Sequence, residues 1–360
     1  MKRIYVEETD GVCEIALTDG KKLLHYEKEE AGGIHPEQIY LCRVERLMPG
    51  LEAAFVRLDE THTGFLPFDA CPEKPRGGDM FPVQVRRAPV GEKQANVTRD
   101  ITLAGRLLIL TPYTEKISVS SKIQDKALRQ QLKDMAQGIL PQGMGAVLRT
   151  ECASAPREAV AREAEMLAQK WQKAETKAAH GAVCGLLLDR ESALVRLLRS
   201  EHGEIGPVVS NTELPDCPLP CRVQPAPFQL ENVRAQWKRA HERKIPLDCG
   251  GYLVVDRTEA LTVIDVNSGS FKGRKSGAEN AFAQLNREAA EECARIIRLR
   301  NMGGMILIDF VDMREEENRQ EIISLLREKF AQDPVKVTLY GFTALGLMEL
   351  ARKRTEEEHG

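Results

Sequence analysis

Aromatic side chains make up only 5% of the 360 residues, and opposite charges nearly cancel to a net of -3. The near-neutral balance removes any global attraction to a polyanion, so nucleic-acid binding has to come from local basic clusters. No apolar run approaches the ~18 residues of a membrane span, and Met1-Lys-Arg-Ile-Tyr is too polar to open a signal peptide. The nine cysteines form no framework, which points to a reduced, cytoplasmic setting. Cys217 and Cys221 make a CxxxC without a second pair, so two loop thiols are favoured over a zinc site.

What is present is ordinary for a globular chain: 42% hydrophobic and 29% charged residues, enough for two or three domains at ~150 residues each. Strand-like runs at Ile4-Tyr-Val, Val12 to Thr18 and Lys22 to Tyr26, with turns at Asp10-Gly11 and Asp19-Gly20, suggest an antiparallel meander. Short strands at Tyr40 to Val44, Ala53 to Leu58, Gly64 to Pro67 and Phe81 to Arg87 suit a small β-barrel. A mixed segment follows, with strands at Leu107 to Leu110 and Ala146 to Leu148 and helices at Lys126 to Gln137 and Arg157 to Lys177. Ala182 to Leu198 returns to strand and helix, and the six prolines from Pro207 to Pro227 predict an extended connector. Beyond Gly250 come a hairpin, a crossover, a helix from Glu315 to Phe330 and a strand around Val335 to Leu339.

That crossover carries the chemistry. Leu261-Thr-Val-Ile-Asp265-Val-Asn267 and Gly303-Gly-Met-Ile-Leu-Ile-Asp309 are aliphatic runs of the kind that form buried parallel strands. Between them Ala278, Phe282, Leu285, Ala289, Cys293 and Ile296 recur at helical spacing. Strand, helix and strand put Asp265 and Asp309 at one carboxyl edge of a sheet, where open α/β sheets bind ligands. Two carboxylates there suit Mg²⁺ with phosphate as its other ligand, and Asn267 shares the face of Asp265. Lys272 and Arg274 lie in a glycine-containing basic loop suited to flanking phosphates. Strand-end aspartates also cap helices and turns, so spacing alone leaves both readings open; Asp312 is equally good as an N-cap. In the barrel segment Phe55, Phe65, Arg86, Arg87, Lys93 and Arg99 could stack bases and track a backbone. By pattern alone the two rings fit a barrel core better than a binding face, and the basic residues fit ordinary solvated surface.

These segments resemble the ribonuclease E/G family, in order and over nearly the whole chain. Asp265-Val-Asn-Ser and Gly303-Gly-Met-Ile-Leu-Ile-Asp309-Phe-Val-Asp-Met are its most specific signatures. Leu51-Glu-Ala-Ala-Phe55-Val, Gly64-Phe65-Leu-Pro, Leu103-Ala-Gly105, Gly143-Met-Gly, Arg149-Thr150 and Gly346 to Arg354 match other parts. The resemblance implies an α+β and α/β multidomain fold. Its parts would be an RNase H-like scaffold (1–35 and 181–242), an S1-type oligonucleotide-binding barrel (36–98), a 5′-sensor domain (99–180) and a DNase I-like catalytic domain (243–360). It further implies a cytoplasmic, Mg²⁺- or Mn²⁺-dependent endoribonuclease that cuts single-stranded A/U-rich RNA in ribosomal RNA processing and message decay. The products would carry 5′-phosphate and 3′-hydroxyl ends. Asp265 and Asp309 would ligate the metal, with Asn267 toward the scissile phosphate. Phe55, Phe65 and Lys93 would grip substrate, and Gly105, Ile109, Arg149 and Thr150 would form the 5′-phosphate sensor.

Departures from the family pattern shape the expectations. Ser121 and Lys336 stand where sensor arginines are usual, which weakens bidentate phosphate binding. The sequence ends in Glu356-Glu-Glu-His-Gly without the family's CxxCxG pair, so no zinc-linked dimer is expected. An RNA-binding protein of the same fold without cleavage is the alternative, and a phosphodiesterase acting on DNA or small nucleotides is a third reading.

Overall fold

The computed structural model describes residues 1–354 except 31, 72, 90–92, 182, 202, 216, 272–277 and 314. The chain forms two compact units, Gly32–Ser192 and the combination of Met1–Ala31 with Ala193–Gly360.

In the unit Gly32–Ser192, strands Ile39–Met48, Ala53–Arg57, Thr63–Pro67, Ala95–Thr98 and Met80–Arg87 lie side by side in that order. The last pairs back onto the first, which closes a five-stranded barrel. This closed mixed barrel fits an S1-type oligonucleotide-binding domain. Its interior holds Cys42, Val44, Val56, Leu66, Val83, Val85 and Val97. The strand Ala95–Thr98 has too few residues to announce itself in the sequence. Gly64 allows close packing: a Cβ there would sit 3.1 Å from a Val97 methyl, which would have to move by a few tenths of an ångström.

The rest of that unit is a four-stranded sheet ordered Ile117–Val119, Gly145–Leu148, Leu108–Thr111, Leu103–Ala104. Helices Lys126–Gln137 and Arg157–His180 contribute Leu132, Leu167 and Trp171 to a core shared with Leu108, Leu110 and Leu148. Asp125 starts the first helix by accepting from the Ala127 and Leu128 amides at 2.8 and 3.3 Å.

In the other unit, a five-stranded sheet runs Cys221–Val223, Ile205–Ser210, Lys2–Thr9, Val12–Asp19, Lys22–Glu30. Asp10 and Gly11 take φ of 51° and 78°, the left-handed pair that a tight hairpin turn requires. The proline-rich stretch is only partly a connector: Ile205–Ser210 and Cys221–Val223 are parallel strands. Pro207 is accommodated because the ladder to the first strand skips there, from Lys2↔Ile205 to Ile4↔Val208, and proline is tolerated at such irregularities.

The second sheet of this unit has six strands, Lys244–Pro246, Tyr252–Arg257, Leu261–Asn267, Gly304–Asp309, Met348–Arg352 and Val337–Phe342. Among these pairings only Leu261–Asn267 with Gly304–Asp309 is parallel. Helices Ala278–Leu299 and Glu316–Ala331 bury Leu285, Cys293, Ile296, Ile322 and Leu326 in one core with Leu253, Ile264, Ile306 and Ile308. The expectation of buried parallel strands holds for one face only. Residues alternate along Leu261–Asn267, with Thr262, Ile264 and Val266 buried while Asp265 is exposed. Met305, on the same face of its strand as Asp309, is 54% exposed. One face of this sheet is therefore core and the other is open.

Candidate active site

Asp265 and Asp309 are direct partners in the parallel ladder, at the end of a register running from Leu261↔Met305. Paired residues on adjacent strands project from the same face, so both carboxylates stand on the open side of the sheet. Both are exposed. The sequence makes this arrangement: apolar residues at 262, 264 and 266 must face the helices, which turns 261, 263, 265 and 267 outward.

Asn267 follows on that face, half-buried, and its Nδ2 donates to Asp265 Oδ2 at 2.8 Å. The amide thereby fixes the orientation of one carboxylate. Burial, then the charges of Asp265 and Asp312, push the Asp309 carboxyl above its ordinary range. Two like charges side by side disfavour double ionisation, and a divalent cation between them would reverse that penalty. Asp312 is exposed and does not cap the following helix, whose N-cap position is Glu315. Among the described residues no group of three or more His, Cys, Asp or Glu side chains gathers as a ligand cluster. A carboxylate pair is a donor set that could hold a hard cation with its retained waters. Lys272 and Arg274 lie outside the described residues.

In the barrel, Phe55 and Phe65 are cross-strand partners. Their centroids are 5.9 Å apart at an edge-on 64°, and neither belongs to the barrel core. Both rings are half-exposed, which decides against the core-packing reading. Arg46, which the sequence did not single out, places its guanidinium 5.3 Å from the Phe55 ring. Only the ladder shows this: a register shift between Val44 and Arg46 makes Arg46 the partner of Phe55. Lys93 is exposed, two residues before the strand that pairs Ala95 with Gly64 and Asn96 with Phe65. Arg86 is tied to Asp100 at 3.0 Å, and Arg99 lies 4.3 Å over the Phe81 ring.

The structure brings Gly105 and Arg149 together, since Arg149 Nη1 donates to the Gly105 carbonyl at 2.8 Å. Glu163, absent from the sequence reading, accepts from the Leu107 and Leu108 amides at 2.7 and 3.0 Å in the same turn. A Cβ on Gly105 would lie 2.2 Å from that carboxylate, so a larger residue there would displace Glu163 from the two amides. Ile109 is half-buried on the strand pairing with Val147, and exposed Thr150 opens the 3-10 turn Thr150–Ser154. Ser121 is exposed beyond Ile117–Val119. Lys336 is exposed and belongs to the other unit.

Comparison with known proteins matches this chain to the family model described as the Ribonuclease E/G family, over residues 102–213 and 221–355. Ribonuclease G of Escherichia coli strain K12 is 32% identical over 98% of this chain and 80% of its own length. Ribonuclease G of Haemophilus influenzae is 30% identical over 97% of this chain and 79% of its own length. Ribonuclease E of a Nostoc species is 32% identical, covering 88% of this chain and 51% of its own length. The chain belongs to the ribonuclease E/G family.

Proposed function

We propose that this chain is an endoribonuclease, a hydrolase that cuts single-stranded A/U-rich RNA with the aid of a divalent cation, Mg²⁺ or Mn²⁺. Family membership supports RNA as the substrate. The observation that carries the catalytic reading is the Asp265–Asp309 pair, in register on the open face of one sheet. Asp265 and Asp309 would hold the cation, which when bound supplies a water of lowered pKa and offsets charge on the phosphate. Asn267 keeps Asp265 in its ligating orientation. Water adds to phosphorus and the ribose 3′-oxygen departs, leaving a 5′-phosphate and a 3′-hydroxyl.

Phe55 and Phe65 form an exposed aromatic edge on the barrel, which supports stacking of unpaired bases, with Lys93 on the backbone. Gly105, Ile109, Arg149 and Thr150 are assigned to sensing a 5′-monophosphate, and the Arg149 contact to Gly105 supports a preset guanidinium. Lys336 is assigned a supporting role as a point charge. The scaffold is assigned as RNase H-like, which the strand order of the first sheet supports, and the second sheet as DNase I-like. Processing of ribosomal RNA and message decay in the cytoplasm complete the reading; among the described residues no helix is long and apolar enough to cross a membrane.

The test is a 5′-monophosphorylated, A/U-rich oligonucleotide incubated with protein and Mg²⁺. Cleavage by the parent, lost in Asp265→Asn and in Asp309→Asn with binding retained, is the expected outcome. Tight binding with no cleavage by the parent points instead to an RNA-binding protein of the same fold. Cleavage that survives both substitutions removes the assigned centre.

A further inference from the structure

The ladder that aligns the two aspartates extends across two more strands. Asp309 pairs with Asp265, Asp265 with Val254, and Val254 with Lys244. Directly paired residues share a face, so Lys244 stands on the same open side as the carboxylates. At ~4.8 Å per strand, its root lies ~10 Å from that of Asp265. The intervening Val254 is half-buried and uncharged.

One row along, Tyr252 is the partner of Asn267. Lys244 Nζ sits 3.7 Å from the centroid of the Tyr252 ring, so the exposed side chain leans toward the Asn267 row. The ring is braced by the turn after Asn267: a Cβ on Gly269 would come within 3.1 Å of it. Gly269 has φ +52°, and its Cβ would also lie 2.8 Å from the Gly250 carbonyl. The two neighbouring cations differ in availability. Arg243 is engaged by Asp256 through a bidentate pair at 2.6 and 2.8 Å. Among the described residues Lys244 has no carboxylate partner.

A strand of RNA crossing the carboxylate pair brings phosphates on either side of the scissile one over this face. Asp265 and Asp309 repel them, and a cation beside an aromatic wall offsets that repulsion. We propose that Lys244 and Tyr252 form a nucleotide subsite flanking the scissile phosphate. The Lys244 ammonium contacts the neighbouring phosphate, and the Tyr252 ring aims the ammonium and packs against the adjoining ribose. This rests on the nuclease reading above, and the experiment separates the two.

Binding of a single-stranded A/U-rich RNA is measured in the Asp265→Asn background by fluorescence anisotropy, at several potassium chloride concentrations. Loss of one phosphate contact on a single strand lowers the slope of log affinity against log salt by ~0.7. Lys244→Ala is expected to show that loss, Lys244→Gln the same, and Lys244→Arg to keep the parent slope. Arg243→Ala, whose charge is already neutralised, is expected to leave it unchanged. In protein with Asp265 intact, Lys244→Ala is expected to raise KM about fivefold with kcat within a factor of two. An unchanged slope in Lys244→Ala and Lys244→Gln overturns the subsite, as does an equal loss in Arg243→Ala, which marks a diffuse surface effect. If Asp265→Asn abolishes cleavage while Lys244→Ala changes neither slope nor KM, the subsite falls and the catalytic centre stands.

Discussion

Replacing Asp309 by asparagine is expected to stabilise the metal-free protein and, in the same variant, to remove its response to metal. The carboxylates of Asp265 and Asp309 project side by side from adjacent strands. Taking a separation of ~5.5 Å, two unit charges repel by ~0.8 kcal/mol in water and ~3 kcal/mol at an effective dielectric of ~20. Both groups are exposed, so the lower end applies, about 1 kcal/mol. The raised pKa of Asp309, caused by burial and then by Asp265 and Asp312, has the same sign. In a unit of this size, about 1 kcal/mol corresponds to a rise in Tm of ~2–4 °C. Binding of a cation at ten times its Kd stabilises the parent by ~1.4 kcal/mol. Thermal melts in EDTA and in a magnesium series therefore give opposite results for the two proteins. The parent starts lower and climbs with magnesium; Asp309→Asn starts higher and stays flat. A variant that melts below the parent in EDTA refutes the repulsion, and one that still climbs with magnesium refutes Asp309 as a ligand. Asp265→Asn should gain less, because the Asp265 carboxylate also accepts the Asn267 amide.

Asn267→Ala should lower kcat by ~10²-fold at saturating Mg²⁺, since Asp265 loses its orienting bond; a change of less than about threefold, from rates against metal concentration, defeats the positioning role. Phe55→Ala or Phe65→Ala should weaken binding of single-stranded RNA by ~1–3 kcal/mol while leaving the melting temperature close to parent, because neither ring is in the barrel core. Equal affinity by anisotropy rejects the stacking role. Arg149→Ala, and Gly105→Ala through collision with Glu163, should each reduce the preference for 5′-monophosphate over 5′-hydroxyl ends, with parental preference in both rejecting the sensor assignment. Burial would raise the Glu27 carboxyl, but the His25 ring nitrogen 3.5 Å away and the Arg196 guanidinium outweigh it and hold the pKa at about 2. A depressed folded pKa gives stability that is full above the ordinary value near 4.5 and lost as pH falls through about 2, roughly 3 kcal/mol in all. Glu27→Gln should flatten urea-derived stability between pH ~5 and ~2; a slope equal to the parent's there contradicts the pairing.

The elements that were legible in the sequence are those whose pattern is local. Asp265 and Asp309 follow β-branched runs joined by a long amphipathic helix, and such a crossover admits few arrangements. The helix Lys126–Gln137 carries its own start signal in Asp125. What could not be read depends on distant partners. Met348–Arg352 lies between Gly304–Asp309 and Val337–Phe342, an insertion fixed only when three segments meet. The helix Val233–Ala240 has only eight residues, with Val233 and Ala240 its buried ones. Whether Phe55 and Phe65 face in or out is set by barrel register, because a one-residue slip exchanges the two faces. Lys244 belongs to no motif; only the ladder puts it in line with Asp265.

The open face of the second sheet is what makes the carboxylate pair tolerable to the fold. Had helices covered both sides, Asp265 and Asp309 would be desolvated as well as mutually repelled, and both effects disfavour the charged forms. A protonated pair is a poor ligand for a hard cation. The mixed topology avoids this. The antiparallel neighbour Tyr252–Arg257 joins Leu261–Asn267 through a short turn, while Met348–Arg352 follows the helix Glu316–Ala331, which packs on the core side, and the hairpin from Val337–Phe342. The buried side then supplies the stability, through Ile264, Ile306 and Ile308 against the two helices. Meanwhile the open side leaves both acids exposed to solvent.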